Sequence, residues 1–436
     1  MRADDLILVS IDDHVVEPAD LFTRHIPAIF RDSAPRVVRK KNGADVWVFE
    51  GQQLPNIGLN AVAGRPPEEY GIEPTAFEQL RHGCYDVEAR VRDMSANGVL
   101  ASLNFPSFTG LAGQVFLKAK DKDLSLACLK AYNDWHIDEW CGAAPDRFIP
   151  LALVPLWDPE LAAEEVRRVA KKGCLAVTMS DQPGKIGLPT YHSDHWDPVW
   201  KACEETGTIV CLHIGSSEGM YFTSMDAPID VMITLIPLNV VNCASDLIWS
   251  PMLRKFPTLK FALSEGGIGW VPYFMERIDY VYEHHRLWTN QRFGAKRPSE
   301  LFAERVVTCF ISDRTGLRDL GAMNADNVTW ECDYPHSDTT WPRSPELLFD
   351  ELKHLPDETI AKITYRNALR HFRFDPFRHR PIEKATVAAL RAEAADVDVA
   401  TRSQSGGARV ESGDQQPVTC GHVVKQLTTA MMSPLE

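Results

Sequence analysis

The sequence predicts an α/β fold of the (β/α)8 TIM-barrel type. Three observations carry this: eight short apolar runs, helical periodicity between them, and polar side chains gathered where the runs end. The runs are LILVSIDDH (6–14), VLASLNFPS (99–107), RFIPLALVPL (147–156), GCLAVTMS (173–180), TIVCLHIG (208–215), LKFALSEGG (259–267), RVVTCFISD (305–313) and VTWECDYPH (328–336). Each is bounded by turn residues, as strands are, and is nearly continuously apolar, as parallel strands covered on both faces are. Strands that alternate with amphipathic helices make βα units, and eight such units close a barrel.

The helices between them include DVEARVRDMSANG, PELAAEEVRRVAKKG, HWDPVWKACEETG and GWVPYFMERIDYVYEHH. Each begins after a turn or capping residue, and several end at glycine. Residues 1–380 are read as the barrel domain, with residues 18–85 a long insertion after the first strand that covers part of the mouth. Inside the insertion, VVRKKNGADVWVFEG reads as a hairpin turning at Asn42 and Gly43. Residues 381–436 form a C-terminal tail: a short helix near Ile382 to Ala395, then the polar tract TRSQSGGARVESGDQQ. Such a tract buries little apolar surface, so it is expected to be flexible or to serve as an oligomer arm.

Composition narrows the function classes. An apolar content of 44% with 24% charged residues is that of a soluble globular chain. Acidic residues outnumber basic ones 60 to 46, which argues against nucleic-acid or anionic-membrane partners, both of which require clustered Lys and Arg. The 10 cysteines form no C-x-x-C pair and several lie in apolar runs, the pattern of buried thiols in a reducing cytoplasm. The first apolar run is broken by acids and reads as neither a signal segment nor a membrane span. Residues 231–249 come closest to a span but contain Pro237, Asn239, Asn242 and Asp246.

In a barrel, the C-terminal strand ends form the catalytic face. The polar residues there are Asp12, His14, Asn104, His213, Glu265, Asp313, Asp333 and His336. Asp12 and His14 are two apart, so on a strand they share one face while Asp13 points away. A carboxylate and an imidazole projecting together make half of a divalent-metal site, and His213 and Asp333 add ligands from the fifth and eighth strands. Mixed nitrogen and oxygen ligation suits Zn²⁺, Mn²⁺ or Fe²⁺ better than Ca²⁺ or Mg²⁺. The plain alternative is a set of ordinary strand-end and turn residues in a metal-free barrel that only binds ligands. No G-x-S-x-G elbow is present, and the cysteines lack a catalytic context.

D-x-H ending the first strand, His ending the fifth and D-Y-P-H ending the eighth resemble the amidohydrolase superfamily. With SIDDHVVEP, SEGGIGWVPYFMERID and ECDYPHSDTTWP, the chain most resembles the branch that includes aminocarboxymuconate semialdehyde decarboxylase and gamma-resorcylate decarboxylase. The resemblance implies a (β/α)8 barrel holding one or two divalent transition-metal ions, with Asp12, His14, His213 and Asp333 as ligands. Two departures matter. Asp12 stands where many relatives have a first histidine, and Glu265 stands where the sixth strand commonly ends in histidine. Glu265 is then a further metal ligand or a general base, unless it is a turn carboxylate paired with a group such as Arg277. The fourth strand offers only Thr178 and Ser180, so the bridging lysine of the dinuclear branches is missing.

A bound metal acidifies water and polarises an oxygen acceptor, Asp333 is placed to take a proton, and His336 to relay it or steer substrate. This apparatus serves hydrolysis of an amide, ester or thioester of a small organic acid. It equally serves nonoxidative decarboxylation of an aromatic or unsaturated acid. Replacement of the sixth-strand imidazole by Glu265 tips the expectation toward hydrolysis. Trp47, Phe49, Trp270, Tyr273 and Trp341 are read either as an aromatic pocket lining or as core. Because relatives often pair through barrel helices, a homodimer is among the expected states.

Overall fold

The computed structural model describes residues 1–55, 57–218, 221–413 and 416–432. Its central sheet is wholly parallel. The strands are β1 (Val9–Val15), β2 (Ala101–Pro106), β3 (Phe148–Ile149 with Ala152–Leu153), β4 (Ala176–Ser180), β5 (Ile209–His213), β6 (Phe261–Ser264), β7 (Val306–Phe310) and β8 (Val328–Trp330). Pro150 splits β3, because its nitrogen has no hydrogen to give to a ladder. The first half pairs with β2 at Ser102 and Phe148, the second with β4 at Ala152 and Val177. The strand order β3-β2-β1-β8-β7-β6-β5-β4-β3 therefore returns to its start, and the sheet closes as the eight-stranded barrel.

At least one helix follows each strand, the principal ones being α1 (Val87–Asn97), α2 (Lys122–Asp134), α3 (Pro159–Lys171), α4 (Asp197–Thr206), α5 (Val240–Trp249), α6 (Val271–Thr289), α7 (Arg314–Arg318) and α8 (Ser344–Leu352). Local chemistry sets their ends. The Asp86 carboxylate caps α1 by accepting from Ala89 N, and Asp158 caps α3 by accepting from Glu160 N and Leu161 N. Gly98 and Gly207 end α1 and α4 at φ of 74° and 70°, a left-handed conformation that costs glycine little.

Side chains alternate across each strand. Val9, Ile11, Leu103, Phe105, Ala176, Ile209, Cys211, Ala262, Val307 and Cys309 fill the barrel, closed below by Tyr365 and Phe372. Val177, Met179, Val210, Leu212, Phe261 and Leu263 pack outward under the helices. In β1 this alternation breaks. Its register with β2 shifts between Ser10 and Asp13, a bulge that turns Asp12 and His14 to the mouth after Val9 and Ile11 have faced the interior. Asp13 instead accepts from Ser10 Oγ (2.9 Å) and Tyr334 N (3.3 Å). Burial pushes its carboxyl up to about 7 despite the pull of nearby Arg90.

Arg90 is a strut beneath the mouth. It is fully buried on α1, donates to the carbonyls of Gly83 and His14, and lies 4.5 Å from the ring centroid of Tyr334. It thus joins the end of β1 to the loop after β8.

The insertion forms the expected hairpin, Arg36–Arg39 against Asp45–Phe49, with Gln52–Leu54 as a third antiparallel strand. Gly43 takes φ of 84° in the turn, and Asn42 Oδ1 accepts from Ala44 N. Val62 N and Ala63 N both donate to Pro335 O at 2.9 Å, which seats the insertion on the loop after β8. In the tail, Val387–Glu393 packs on α1 through buried Val387 and Leu390. Beyond it, Ala408–Arg409 pairs antiparallel with Ile72–Glu73, and Gln404 N donates to Glu69. Hydrogen bonds to the insertion, not apolar burial, hold this tract, so its composition gives no sign of where it lies.

All 10 cysteines are free and buried. Among the described residues no single helix is long and apolar enough to cross a membrane, although the bent pair Ile229–Leu235 and Pro237–Trp249 reaches that length and composition together.

The strut makes a prediction. Arg90→Met keeps the stem but strands two buried carbonyls and the Asp13 carboxylate, so unfolding free energy should fall by about 3–5 kcal/mol. Urea denaturation measures this, and an unchanged midpoint would show that the strut bears no weight.

Candidate metal centre

The mouth of the barrel brings the strand-end ligands together. His14 Nε2 lies 3.6 Å from Asp12 Oδ1, 3.3 Å from Asp333 Oδ1 and 3.3 Å from His213 Nε2. His213 Nε2 is 3.4 Å from Asp12 Oδ2 and 3.5 Å from Glu265 Oε2. His336 Nδ1 lies 2.8 Å from Asp333 Oδ1, and its ring stacks on His14 with centroids 3.7 Å apart. Ligand atoms of Asp12, His14 and His213, and of His14, Asp333 and His336, form two overlapping groups compact enough to hold a cation.

Backbone conformation aims these groups. Asp333 N donates to Asp12 O and His14 N to Tyr334 O, which ties the chain beyond β8 to β1. Glu265 and Asp333 take φ of 62° and 57°, the left-handed region that non-glycine residues enter at a cost. Glu331 helps fix the first of these turns: its carboxylate accepts from Glu265 N at 3.1 Å. His213 Nδ1 lies 2.6 Å from Ile214 O, so it carries the hydrogen there and leaves the Nε2 lone pair facing the cluster.

The electrostatics fit a cation. Both carboxylate oxygens of Asp12 are buried without a hydrogen-bond partner, a condition that costs about 1–3 kcal/mol or more, while Asp333, equally buried, is paired with His336. Burial, with Glu331, Glu265 and Asp333 nearby, raises the Asp12 carboxyl well above its usual range. Burial also lowers His14 well below its usual value and His213 to about 3, so both imidazoles stay neutral with lone pairs free. Burial opposes charge on His336, but the Asp333 carboxylate outweighs it and raises the imidazole's pKa. Neutral imidazoles beside buried carboxylates are the donor set a divalent transition metal takes.

Glu265 joins the cluster through His213, with its side chain 18% exposed toward the mouth. Arg277 lies instead over the ring of Tyr280, so it is not the partner of this carboxylate. Two other strand-end residues serve the fold: Asn104 bonds Ser102 Oγ and Trp140 Nε1, and Asp313 accepts from Ile268 N, Gly269 N and Gly316 N. The tested aromatics also fall outside the site. Trp47 and Phe49 are buried with Phe22, Phe108 and Phe116, Trp270 packs on Phe274 and Phe302, Trp341 lies under Arg81, and Tyr273 is 72% exposed. The aromatic at the cluster is Phe105, the last inward residue of β2, with its ring centroid 4.9 Å from that of His213. Strand parity from Leu103 marks it as inward, a signal masked by its ordinary apolar run.

A closed parallel barrel with buried histidines and carboxylates at its C-terminal mouth defines a metal-dependent barrel enzyme. The chain belongs to the amidohydrolase family, whose sequence profile matches residues 46–374. The D-x-H of β1 precedes that span. Among similar proteins, gamma-resorcylate decarboxylase of Rhizobium sp. is 26% identical over 344 residues, 73% of this chain and 94% of the relative. The 2-amino-3-carboxymuconate-6-semialdehyde decarboxylase of Dictyostelium discoideum is 23% identical over 70% of this chain and 81% of its own. A solved amidohydrolase of Mycobacterium avium subsp. paratuberculosis superposes with a TM-score of 0.66 at 21% identity, covering 84% of this chain and 99% of that one. A dihydroxybenzoic acid decarboxylase of Polaromonas sp., solved with manganese and the inhibitor 2-nitroresorcinol, gives a TM-score of 0.56 at 18% identity over 87% and 98% of the two chains. The two relatives matched by sequence are both decarboxylases, which favours decarboxylation over the hydrolysis that Glu265 suggested in the sequence.

If these side chains hold a metal, His213→Ala removes a neutral ligand without disturbing the hydrogen bonds of β5. Elemental analysis of the purified variant should show metal content reduced at least about tenfold, with the melting transition of the barrel retained. Unchanged stoichiometry would exclude His213 as a ligand.

Proposed function

We propose that this protein is a metal-dependent nonoxidative decarboxylase of a small aromatic carboxylic acid. The observation that carries the reading is the pair of buried carboxylates, Asp12 without a partner and Asp333 held by His336, set against the neutral imidazoles of His14 and His213 in a chain whose relatives matched by sequence are decarboxylases. Asp12, His14, His213 and Asp333 are assigned as ligands of one divalent transition-metal ion, with Mn²⁺, Zn²⁺ and Fe²⁺ all suited to the donor set. Such an ion supplies fixed positive charge that draws an acid's carboxylate and a neighbouring oxygen into the mouth.

The chain's own groups do the rest. Phe105, fully buried beside the rings of His14 and His213, backs the two imidazoles and fixes the floor of the mouth. When the bond to the carboxyl carbon breaks, its electron pair stays on the ring carbon, CO₂ leaves, and a proton must replace it. Glu265 is the acid best placed to deliver that proton, because its carboxyl sits between the cluster and the open side of the mouth. The Asp333–His336 pair, 2.8 Å apart, passes a proton between solvent and the cluster and holds Asp333 in position.

The test is direct. Manganese-loaded protein incubated with hydroxylated benzoic acids in ²H₂O should release CO₂ and leave one deuterium at the vacated ring position, read by mass spectrometry. Turnover of amide, ester or thioester derivatives with no CO₂ would replace this reading with hydrolysis. Glu265→Gln should lower turnover by roughly 10²–10⁴-fold with metal content intact. Loss of metal in that variant would make Glu265 a ligand instead.

A further inference from the structure

We infer that the ends of β4 and β5 form a polar subsite that binds a ring hydroxyl of the acid, meta or para to its carboxylate. This rests on the aromatic-acid reading above. Strand parity places the first member: Ala176 and Ile209 face the barrel interior, and Ser180 and His213, four residues further along each strand, pair in register. Ser180 therefore opens on the mouth beside His213. It is buried, and its Oγ has no hydrogen-bond partner. Gln182, two residues on, accepts at Oε1 from the Tyr221 hydroxyl at 3.4 Å, while its Nε2 is buried and unpartnered. Across the gap, the loop after β5 brings Ser216, whose Oγ donates to Asp181 Oδ1 (3.0 Å) and to His213 O (2.7 Å). The Ser217 hydroxyl also bonds the Asp181 carboxylate, which completes that side of the ridge.

Among the described residues, unpartnered buried side-chain atoms thus gather at two places on the mouth: the Asp12 carboxylate in the metal cluster, and Ser180 Oγ with Gln182 Nε2. A cation accounts for the first. It cannot account for the second, because the amide Nε2 of Gln182 only donates and needs an acceptor. A second carboxylate on the ligand would meet Asp181, and the nearby ammonium of Lys185 is already taken up by the Tyr221 ring, 4.0 Å away. A neutral hydroxyl satisfies the set, since it accepts from Gln182 and donates to a serine or to Asp181. Its ring position follows from spacing. Neighbouring strands are about 4.8 Å apart, so an ortho hydroxyl stays at the metal cluster while a meta or para hydroxyl reaches this ridge.

Titration calorimetry of the manganese-loaded full chain with benzoate and with 2-, 3- and 4-hydroxybenzoate tests the subsite. The 3- or 4-hydroxy acid should bind about 10-fold or more tightly than benzoate. Ser180→Ala and Gln182→Met, each checked for an unchanged melting transition, should remove most of that preference and leave benzoate and 2-hydroxybenzoate as they were. If this pattern appears while no acid loses CO₂, the subsite stands and the reaction assigned above falls. If CO₂ is released but neither substitution changes the preference, these groups hold ordered water only and the subsite is wrong. Equal weakening of every acid also overturns it, because the residues would then support the mouth without reading the hydroxyl.

Discussion

The mouth of the barrel is governed by one electrostatic constraint: two carboxylates, Asp12 and Asp333, lie fully buried, the first with no donor on either oxygen and the second braced by the His336 imidazole. In a low-dielectric interior such groups ionise only beside compensating charge. His14 and His213 do not supply it, because burial keeps them neutral, and His336 offers its charge to Asp333 alone. Much of the local structure can be understood as holding this unfavourable arrangement in place. The β1 bulge turns Asp12 and His14 inward, the left-handed turn at Asp333 brings the second carboxylate across, and Arg90 pins the carbonyl of His14 from below. Backbone hydrogen bonds from Asp333 to Asp12 and from His14 to Tyr334 lock the two segments face to face.

The barrel was readable because its signal is repeated. Eight apolar runs separated by capped helices specify eight βα units, and no single misjudged boundary changes that count. Pro150 interrupts the third run, and by splitting that strand it leaves one half pairing with each neighbour. Asp12, His14, His213 and Asp333 were legible for a different reason: polar residues at the ends of buried strands have few structural explanations. The same rule over-reached at Asn104 and Asp313, where hydrogen bonding to a tryptophan and to backbone amides is the explanation. Phe105, Glu331 and Ser180 were missed because their roles depend on which face of a strand or turn they occupy. A phenylalanine or serine in an apolar run carries no mark of that. Trp47 and Phe49 drew attention by type, but their burial with Phe108 and Phe116 makes them part of the joint between insertion and barrel.

The cluster also separates what holds from what reacts. The groups assigned to the metal sit on β1, β5 and the chain just beyond β8, and each is buried and braced by backbone hydrogen bonds. Glu265 ends β6 on a strained turn with its side chain partly open to the mouth, where a group that exchanges protons has to be. Its position is not left to the turn alone. Glu331 accepts from its backbone amide, and the Cys309 thiol in turn donates to Glu331. Burial, then the charge of Asp333 and that of Glu331 behind it, raise the Glu265 carboxyl well above its usual range, and burial with Asp333 and Asp13 raises Glu331 to about 8. An imidazole at the end of β6 would face the opposite field, since the surrounding acids would hold it positively charged. On the reading proposed above, glutamate in place of histidine changes the proton donor from a cation to a neutral acid. Glu331 belongs to that exchange, because it stabilises the protonated carboxyl that the new donor needs.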